Sequence, residues 1–407
     1  MSRRKIGYAY SKAYTSICDL LPSNIGRASL VDGLISAYDL QSQCDQIIPP
    51  SFASKAQLVS FHDSDFISFL LGEEVELDED DSDDNDSSRS ILEQEPDHDD
   101  RDRKLQARFG VEFDCPRFQG LDKYIQAVAG TTLSCARFLS QESAGVEQRI
   151  AVNWHGGRHH AGKERCSGFC YVNDIVLGIL ELRKQFDKVM YIDLDLHHGD
   201  GVEKAFAHSN KVLNLSIHRF DRGFFPGTGN SKHNGKGKGE GFTINVGLRS
   251  GLSDASHRRV VEEVVLPAYR KFRPDVVVLQ CGADGLARDP AKEWNLTTRG
   301  LGDLILDIIG WGSQPCLLLG GGGYNHSDAA RLWCYVLACL TVGRQQVEKW
   351  DLIPENAESI DEFADDGFAF YVENEKRSVP DRNLQDEYLE RIIEYSLGRL
   401  DLIAEDS

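Results

Sequence analysis

The chain has 407 residues, 65 Asp+Glu against 45 Lys+Arg, a formal charge of −20 and a mean hydropathy of −0.37. Its apolar runs fall well short of the ~18 residues a membrane helix needs, and Met1-Ser2-Arg3-Arg4-Lys5 has no apolar stretch behind it, so neither membrane spanning nor secretion is expected. Ten scattered cysteines, several inside apolar segments (Cys281, Cys316, Cys334, Cys339), read as reduced intracellular thiols, and so negative a charge speaks against nucleic-acid binding through the whole surface and favours basic partners.

The negative charge is concentrated in two segments. Residues 73–102 hold 16 acids against Arg89 and Arg101, residues 351–407 hold 17 acids against five bases, and the remaining body is about +6. The first segment, with Asp80-Asp81-Ser82-Asp83-Asp84 at its centre, has too little apolar surface to offset its ordering entropy. It is expected to be a disordered insertion in a catalytic domain spanning 1–350. From residue 149 onward, β-branched runs alternate with stretches whose apolar residues recur at three- and four-residue steps. The pattern predicts a strand over 149–154, a helix over 172–184, strands over 188–193 and 212–217, and a helix over 253–272. A strand over 275–280, a helix over 297–311, a strand over 316–319 and a helix over 326–343 follow. These βα units predict a single α/β domain with a mostly parallel sheet flanked by helices. Residues 351–407 read as an acidic C-terminal extension with a helix near 383–398.

In open parallel sheets the ligand sits at the carboxyl ends of the strands. Here those ends carry His155 to His160, Asp193 to Asp200, Cys281 to Asp284, and Gly320 to Tyr324. Alternation puts Asp193, Asp195 and His197 on one side of an extended stretch. Asp195 and His197 with Asp284 can then grip one ion and leave a position open, the pattern of a catalytic zinc site; the oxygen-rich set also suits Fe²⁺ or Mn²⁺. His159-His160 offers a base for an attacking water, Asp193 and Asp200 are carboxylates able to fix the imidazole tautomers, and Tyr324 can donate to an oxyanion. A metallohydrolase acting on an amide carbonyl follows. Cys170 and Cys281 read as packed thiols.

Several longer motifs carry a family resemblance. Ser167-Gly168-Phe169-Cys170-Tyr171 with Asn173-Asp174, Asp193 through Gly201, Gly223-Phe224-Phe225-Pro226-Gly227-Thr228-Gly229 and Gly320 through Tyr324 resemble class I, zinc-dependent histone deacetylases over about residues 5 to 345. The resemblance implies the arginase/deacetylase fold, zinc on Asp195, His197 and Asp284, and hydrolysis of Nε-acetyl-lysine in histones or other chromatin proteins. It implies that His160 with Asp200 is the general base, that His159 with Asp193 stays charged, and that Tyr324 polarises the carbonyl. Phe169 and Phe225 would wall the acetyl-lysine tunnel beside Gly168, Asp114 would hold substrate backbone at the rim, and Arg27 would line an internal acetate channel. Structural K⁺ on backbone carbonyls near Asp193, Asp195, His197 and Ser216, with a second ion around Phe206, and a nuclear location with a possible cytoplasmic share are implied as well.

Departures from the family pattern shape further expectations. Arg158 and His155 replace an apolar and a small residue, and both are expected to alter the charge of the rim. Arg288, Pro290 and Ser327 stand in the segments where corepressor-dependent members carry inositol-phosphate-binding arginines, and the Pro22 to Gly26 loop lacks their basic residue. This points to the self-sufficient class I subgroup, whose targets include cohesin as well as histones, and away from a stable corepressor complex. The acidic insertion, ending a dozen residues before Asp114, is expected to steer basic substrate or to occupy the rim.

Overall fold

The computed structural model describes residues 4–75, 98–141, 145–372 and 379–403. Among them, eight strands make one sheet: β1 (Arg4–Ala9), β2 (Gln46–Ile48), β3 (Gln148–Asn153), β4 (Val189–Asp193), β5 (Val212–Arg219), β6 (Thr243–Leu248), β7 (Val276–Gln280) and β8 (Cys316–Leu319). Their order is β2-β1-β3-β8-β7-β4-β5-β6, and every pairing is parallel.

A parallel sheet must be covered on both faces, which is why its strands read as unbroken apolar runs. Met190, Ile192, Val277 and Leu279 pack into one apolar cluster with the helices Arg27–Ala37, Thr298–Ile309 and His326–Thr341. Their neighbours Val189, Tyr191, Val276 and Val278 face the other way, against the helices Leu121–Leu139 and Asp174–Leu182. That is the two-residue period of a strand, apolar at both phases.

All five expected strands are present. β1, β2 and β6 carried little signal: β1 opens on Arg4-Lys5, β2 has three residues, and β6 is broken by Asn245 and Gly247. The helix expected over 253–272 is Asp254–Val260, a wider turn Val261–Val265, and Leu266–Phe272. The widening falls where Pro267 lacks the N–H that a regular helix requires. In the acidic stretch expected over 73–102, residues 76–97 lie outside the described residues, but its end is ordered. Residues 98–102 open the helix His98–Phe109, and Val75 is buried with its carbonyl accepting from Arg101 Nη2 at 2.7 Å. In the extension, Phe363, Phe370, Leu389, Ile392 and Ile393 join the same cluster as the sheet, and the helix Tyr388–Leu400 is amphipathic.

What positions the site is strand register. Asn153 pairs with Leu319, Leu319 with Gln280, and Gln280 with Asp193, so β3, β8, β7 and β4 all end at the same level. The four loops that follow must therefore converge.

Candidate active site

At the end of β4 the carboxylate of Asp193 accepts from Tyr191 Oη at 2.7 Å and from the Asp195 amide at 3.1 Å, turning the chain inward. Asp195 Oδ2 accepts from Gln280 Nε2 at 2.6 Å and from the Gly322 amide at 2.8 Å, and Asp284 Oδ1 accepts from the Leu196 amide at 2.9 Å. One oxygen of each carboxylate is thus fixed by N–H donors. The other two, Asp195 Oδ1 and Asp284 Oδ2, lie 3.4 and 2.9 Å from His197 Nδ1, and the three ligand atoms all fall within 4.8 Å of one another. Donors on a tetrahedral zinc stand roughly 3.4 Å apart, so the set fits one small divalent cation. Electrostatics agree: burial and the adjacent Asp195 push the Asp284 carboxyl up to about 7, a repulsion that a cation would relieve.

The two neighbouring histidines sit in opposed environments. His159 Nδ1 lies 2.9 Å from Asp193 Oδ2, and His160 Nδ1 lies 3.0 Å from Asp200 Oδ1. Burial disfavours the charge on His159, but Asp193 and Asp195 outweigh it and raise the imidazole to about 9. On His160, burial and then the charge of His159 dominate, lowering it to about 3. Their rings are 4.0 Å apart, so one charge excludes a second. The two environments favour the imidazolium on His159 and the neutral imidazole on His160.

Above the histidines is a cavity of about 250 Å³ lined by Asp114, His160, Gly168, Phe169, His197, Phe225 and Tyr324. Phe225 packs edge-on against His160 at 4.9 Å, and Phe169 against Tyr324 at 5.6 Å. Gly168 admits no side chain: its φ is +53° and a Cβ would come within 2.4 Å of His160 Cδ2. Phe169 itself has φ +64°, a strained backbone that aims the ring into the cavity. Asp114 Oδ2 accepts from the Gly168 amide at 2.6 Å, tying the rim to this wall. Burial, then Asp284 and Asp195, keep the Tyr324 phenol well above its usual range and so protonated.

The family model for the histone deacetylase domain matches residues 21–340 of this chain. The chain belongs to the histone deacetylase family. Histone deacetylase 8 of Xenopus tropicalis is 39% identical over 377 residues, covering 92% of each chain. Histone deacetylase 8 of Danio rerio is 38% identical over 397 residues, 98% of this chain and 95% of that one. Histone deacetylase 6 of Arabidopsis thaliana is 38% identical over 82% of this chain and 65% of its own. As a member of this family the protein is a metal-dependent lysine deacetylase, and no helix among the described residues is long and apolar enough to cross a membrane.

Beneath the metal-ligand set, this histone deacetylase departs from one sequence expectation. Arg158 and His155 do not reach the rim: they are 6% and 4% exposed, on the inner side of the site. His155 Nε2 lies 2.9 Å from Asp32 Oδ2, and Asp32 also accepts from the hydroxyls of Tyr8 and Thr15. Arg158 donates to the His155 carbonyl at 3.1 Å. Arg27 is equally buried; it donates to the carbonyls of Gly321 at 3.1 Å and Gly323 at 2.9 Å and stacks over Trp333. It therefore braces the glycine turn that presents Tyr324. The thiols of Cys170 and Cys281 are pushed up by burial, which removes them as nucleophiles.

Some supporting residues escaped the sequence reading. Gln280, the last residue of β7, orients Asp195. Asp289 accepts from the Tyr324 amide at 2.7 Å, and Asp174 accepts from the Arg158 amide at 2.7 Å and the Gly157 amide at 3.0 Å. A polar residue closing an apolar strand was the available signal for Gln280. Asp289 acts on backbone, which leaves no side-chain pattern to read, whereas Asp174, part of the Asn173-Asp174 motif, also accepts from Thr132 Oγ1 at 2.6 Å. Arg288 forms ion pairs with Asp328 and with Asp366 of the extension, so it is committed internally.

Proposed function

We propose that the chain hydrolyses Nε-acetyl-lysine in histones and in non-histone chromatin proteins such as cohesin, with Zn²⁺ on Asp195, His197 and Asp284. The observation that carries the reading is the meeting of that ligand set, the His159–His160 pair and Tyr324 around one aromatic-walled cavity of about 250 Å³. When bound, the cation supplies Lewis acidity toward the acetyl carbonyl and acidifies the attacking water. Phe169 and Phe225 hold the aliphatic stem, and Asp114 accepts from substrate backbone at the rim. The Tyr324 phenol donates to the carbonyl oxygen as negative charge develops there. His160, neutral and with Nδ1 turned to Asp200, takes a proton from the water as its oxygen bonds to the carbonyl carbon. His159 keeps its charge through Asp193 and stabilises the negative transition state. As the C–N bond breaks, a protonated histidine of the pair returns a proton to the lysine nitrogen, leaving lysine and acetate. Arg27 lies on the inner side, where the acetate departs.

Structural K⁺ on the carbonyls of Asp193, Asp195, His197 and Ser216 belongs to the same proposal, supported by the pairing of Asp193 with Ser216 across β4 and β5; a second K⁺ around Phe206 rests on family resemblance. Nuclear residence, with a cytoplasmic share, is also proposed. The test is metal analysis of the purified chain together with acetate release from an acetyl-lysine peptide and from acetylspermidine. Stoichiometric zinc and a peptide preference are expected, whereas a polyamine preference would reject the protein substrate.

A further inference from the structure

The surface beside the tunnel carries a charge opposite to that of the whole chain. Where the C-terminal extension meets the ends of β5 and β6, a cleft of about 600 Å³ opens, and its charged lining is Arg219, Arg222, Arg249 and Arg382 against Asp221 alone. The cleft is built firmly. Asn383 Oδ1 accepts from the Arg249 amide at 2.7 Å, Asp381 Oδ2 accepts from the Ser253 amide at 3.0 Å, and Tyr388 Oη donates to the Gly247 carbonyl at 2.7 Å.

The partners of the four guanidiniums decide what the cleft can take. Arg219 is consumed internally, 2.8 Å from Glu293 and 3.2 Å from Asp221. Arg249 lies over the Tyr388 ring at 4.1 Å, and its one ion pair, to Asp386, is 3.8 Å long with the carboxylate 82% exposed. Such a stack covers a face of the guanidinium, whose N–H donors lie in its plane and stay available. Arg222 and Arg382 are exposed and have no ion pair among the described residues. Arg222 and Arg382 thus share one cleft with no ion-pair partner among the described residues, beside an Arg249 held only by its long pair to an exposed Asp386, on a chain of charge −20. The acidic extension sets Asp386 against Arg249 but also contributes Arg382 to the lining.

Position ties the cleft to the reaction. Arg222 sits in the tight turn closed by the Phe224 amide donating to the Asp221 carbonyl at 3.1 Å, and the tunnel wall Phe225 follows it directly. Three residues of chain span at most about 11 Å. A peptide lying extended across the mouth advances roughly 3.3 Å per residue. Its residues two to four places from the acetyl-lysine therefore come within reach of Arg222, whose cleft Arg249 and Arg382 also line.

We propose that this cleft binds an acidic or phosphorylated side chain of the substrate protein, two to four residues from the acetyl-lysine, and so selects among acetylated sites. The proposal rests on the deacetylase reading of the tunnel and adds a substrate class to it.

Binding is measured by fluorescence anisotropy in the metal-loaded Tyr324→Phe protein, so that peptide is not consumed. Each peptide carries one acetyl-lysine with Asp, Asn, phosphoserine or Ser three residues away. The Asp and phosphoserine peptides are expected to bind about tenfold tighter than their neutral counterparts, an advantage that shrinks as salt is raised. A larger gain for phosphoserine assigns the cleft to phosphorylated sites, and equal gains assign it to carboxylates. The advantage should fall to near unity in Arg222→Gln/Arg382→Gln and survive in Arg222→Lys/Arg382→Lys. Equal affinity of acidic and neutral peptides, or an advantage that persists in the double Gln variant, overturns the proposal. So does binding of a short single-stranded oligonucleotide through these arginines with no acidic-peptide preference. Turnover of a blocked acetyl-lysine by the unaltered chain, run alongside, tests the deacetylase reading separately.

Discussion

The tunnel side of the metal-ligand set and the floor beneath it flank the same four strand ends but are built on different principles. On the tunnel side, Phe169, Phe225 and Asp114 sit on loops with left-handed backbone or partial exposure, and Phe225 is 41% exposed. On the floor, Arg27, Asp32, His155 and Arg158 are all at least nine-tenths buried and bond to one another or to backbone. A buried charge costs stability unless it is paired. The floor groups are therefore bonded to one another or to backbone, Arg158 Nε excepted, whereas the tunnel leaves its rings free for substrate. Substitutions should divide accordingly, with tunnel residues changing turnover and Asp32, His155 and Arg158 changing folding.

The largest effect is expected at the junction of the two regions. His160→Ala removes the proposed base and Tyr324→Phe the proposed phenolic donor, and each should lower kcat by about 10²- to 10⁴-fold. Metal content should be unchanged in both, because neither side chain belongs to the ligand set. Near-normal turnover in either variant would dismantle the role assignment.

On the floor, Asp32→Ala strands the His155 imidazole and the Tyr8 and Thr15 hydroxyls without their shared acceptor. Leaving a buried hydrogen-bonding group without its partner costs about 1–3 kcal/mol. Urea denaturation should show that loss, and whatever variant remains folded should retain most of its kcat. A kcat collapse in folded Asp32→Ala would erase the distinction between floor and tunnel.

How far the sequence revealed this division depends on what each residue touches. Asp195, His197, Asp284, the histidine pair and Tyr324 were legible because they follow apolar runs directly, and parallel register brings those runs to one level. Arg158 and His155 were misplaced at the rim for a physical reason. Arg is usually exposed and His intermediate, and nothing local revealed that Asp32, 123 positions before His155, would be its partner. β2 and β6 were invisible because they borrow stability from neighbours. The arginine cleft was illegible because residues 222, 249 and 382 meet only in three dimensions.

A pH effect follows from the scaffold that holds the tunnel wall. His62 Nε2 accepts from the Asn173 amide at 3.0 Å, and Asn173 Nδ2 in turn holds the carbonyls of His159 and Ala161. Burial lowers the His62 imidazole to about 4. Between about 4 and its unfolded value near 6.5, the unfolded chain binds a proton that the folded chain does not, so stability rises with pH across that window. The contribution is complete above pH ~6.5 and gone by pH ~4, about 3 kcal/mol in all. His62→Gln should flatten the stability profile between those limits; an unchanged slope would remove His62 as its source.

The smallest effect is expected at the mouth. The Phe225 ring, 41% exposed, meets His160 at 4.9 Å and His197 at 6.0 Å but anchors no core cluster. Phe225→Ala should therefore change stability by only about 0.5 kcal/mol. Its cost belongs to substrate binding: losing one wall removes apolar contact with the lysine stem, worth about 1 kcal/mol, in ground and transition states alike. Uniform binding loss raises KM and spares kcat, so a several-fold rise in KM is the expected signature. If Phe225→Ala instead lowered kcat with KM unchanged, the ring would be acting on His160, and the mouth would belong to the catalytic pair.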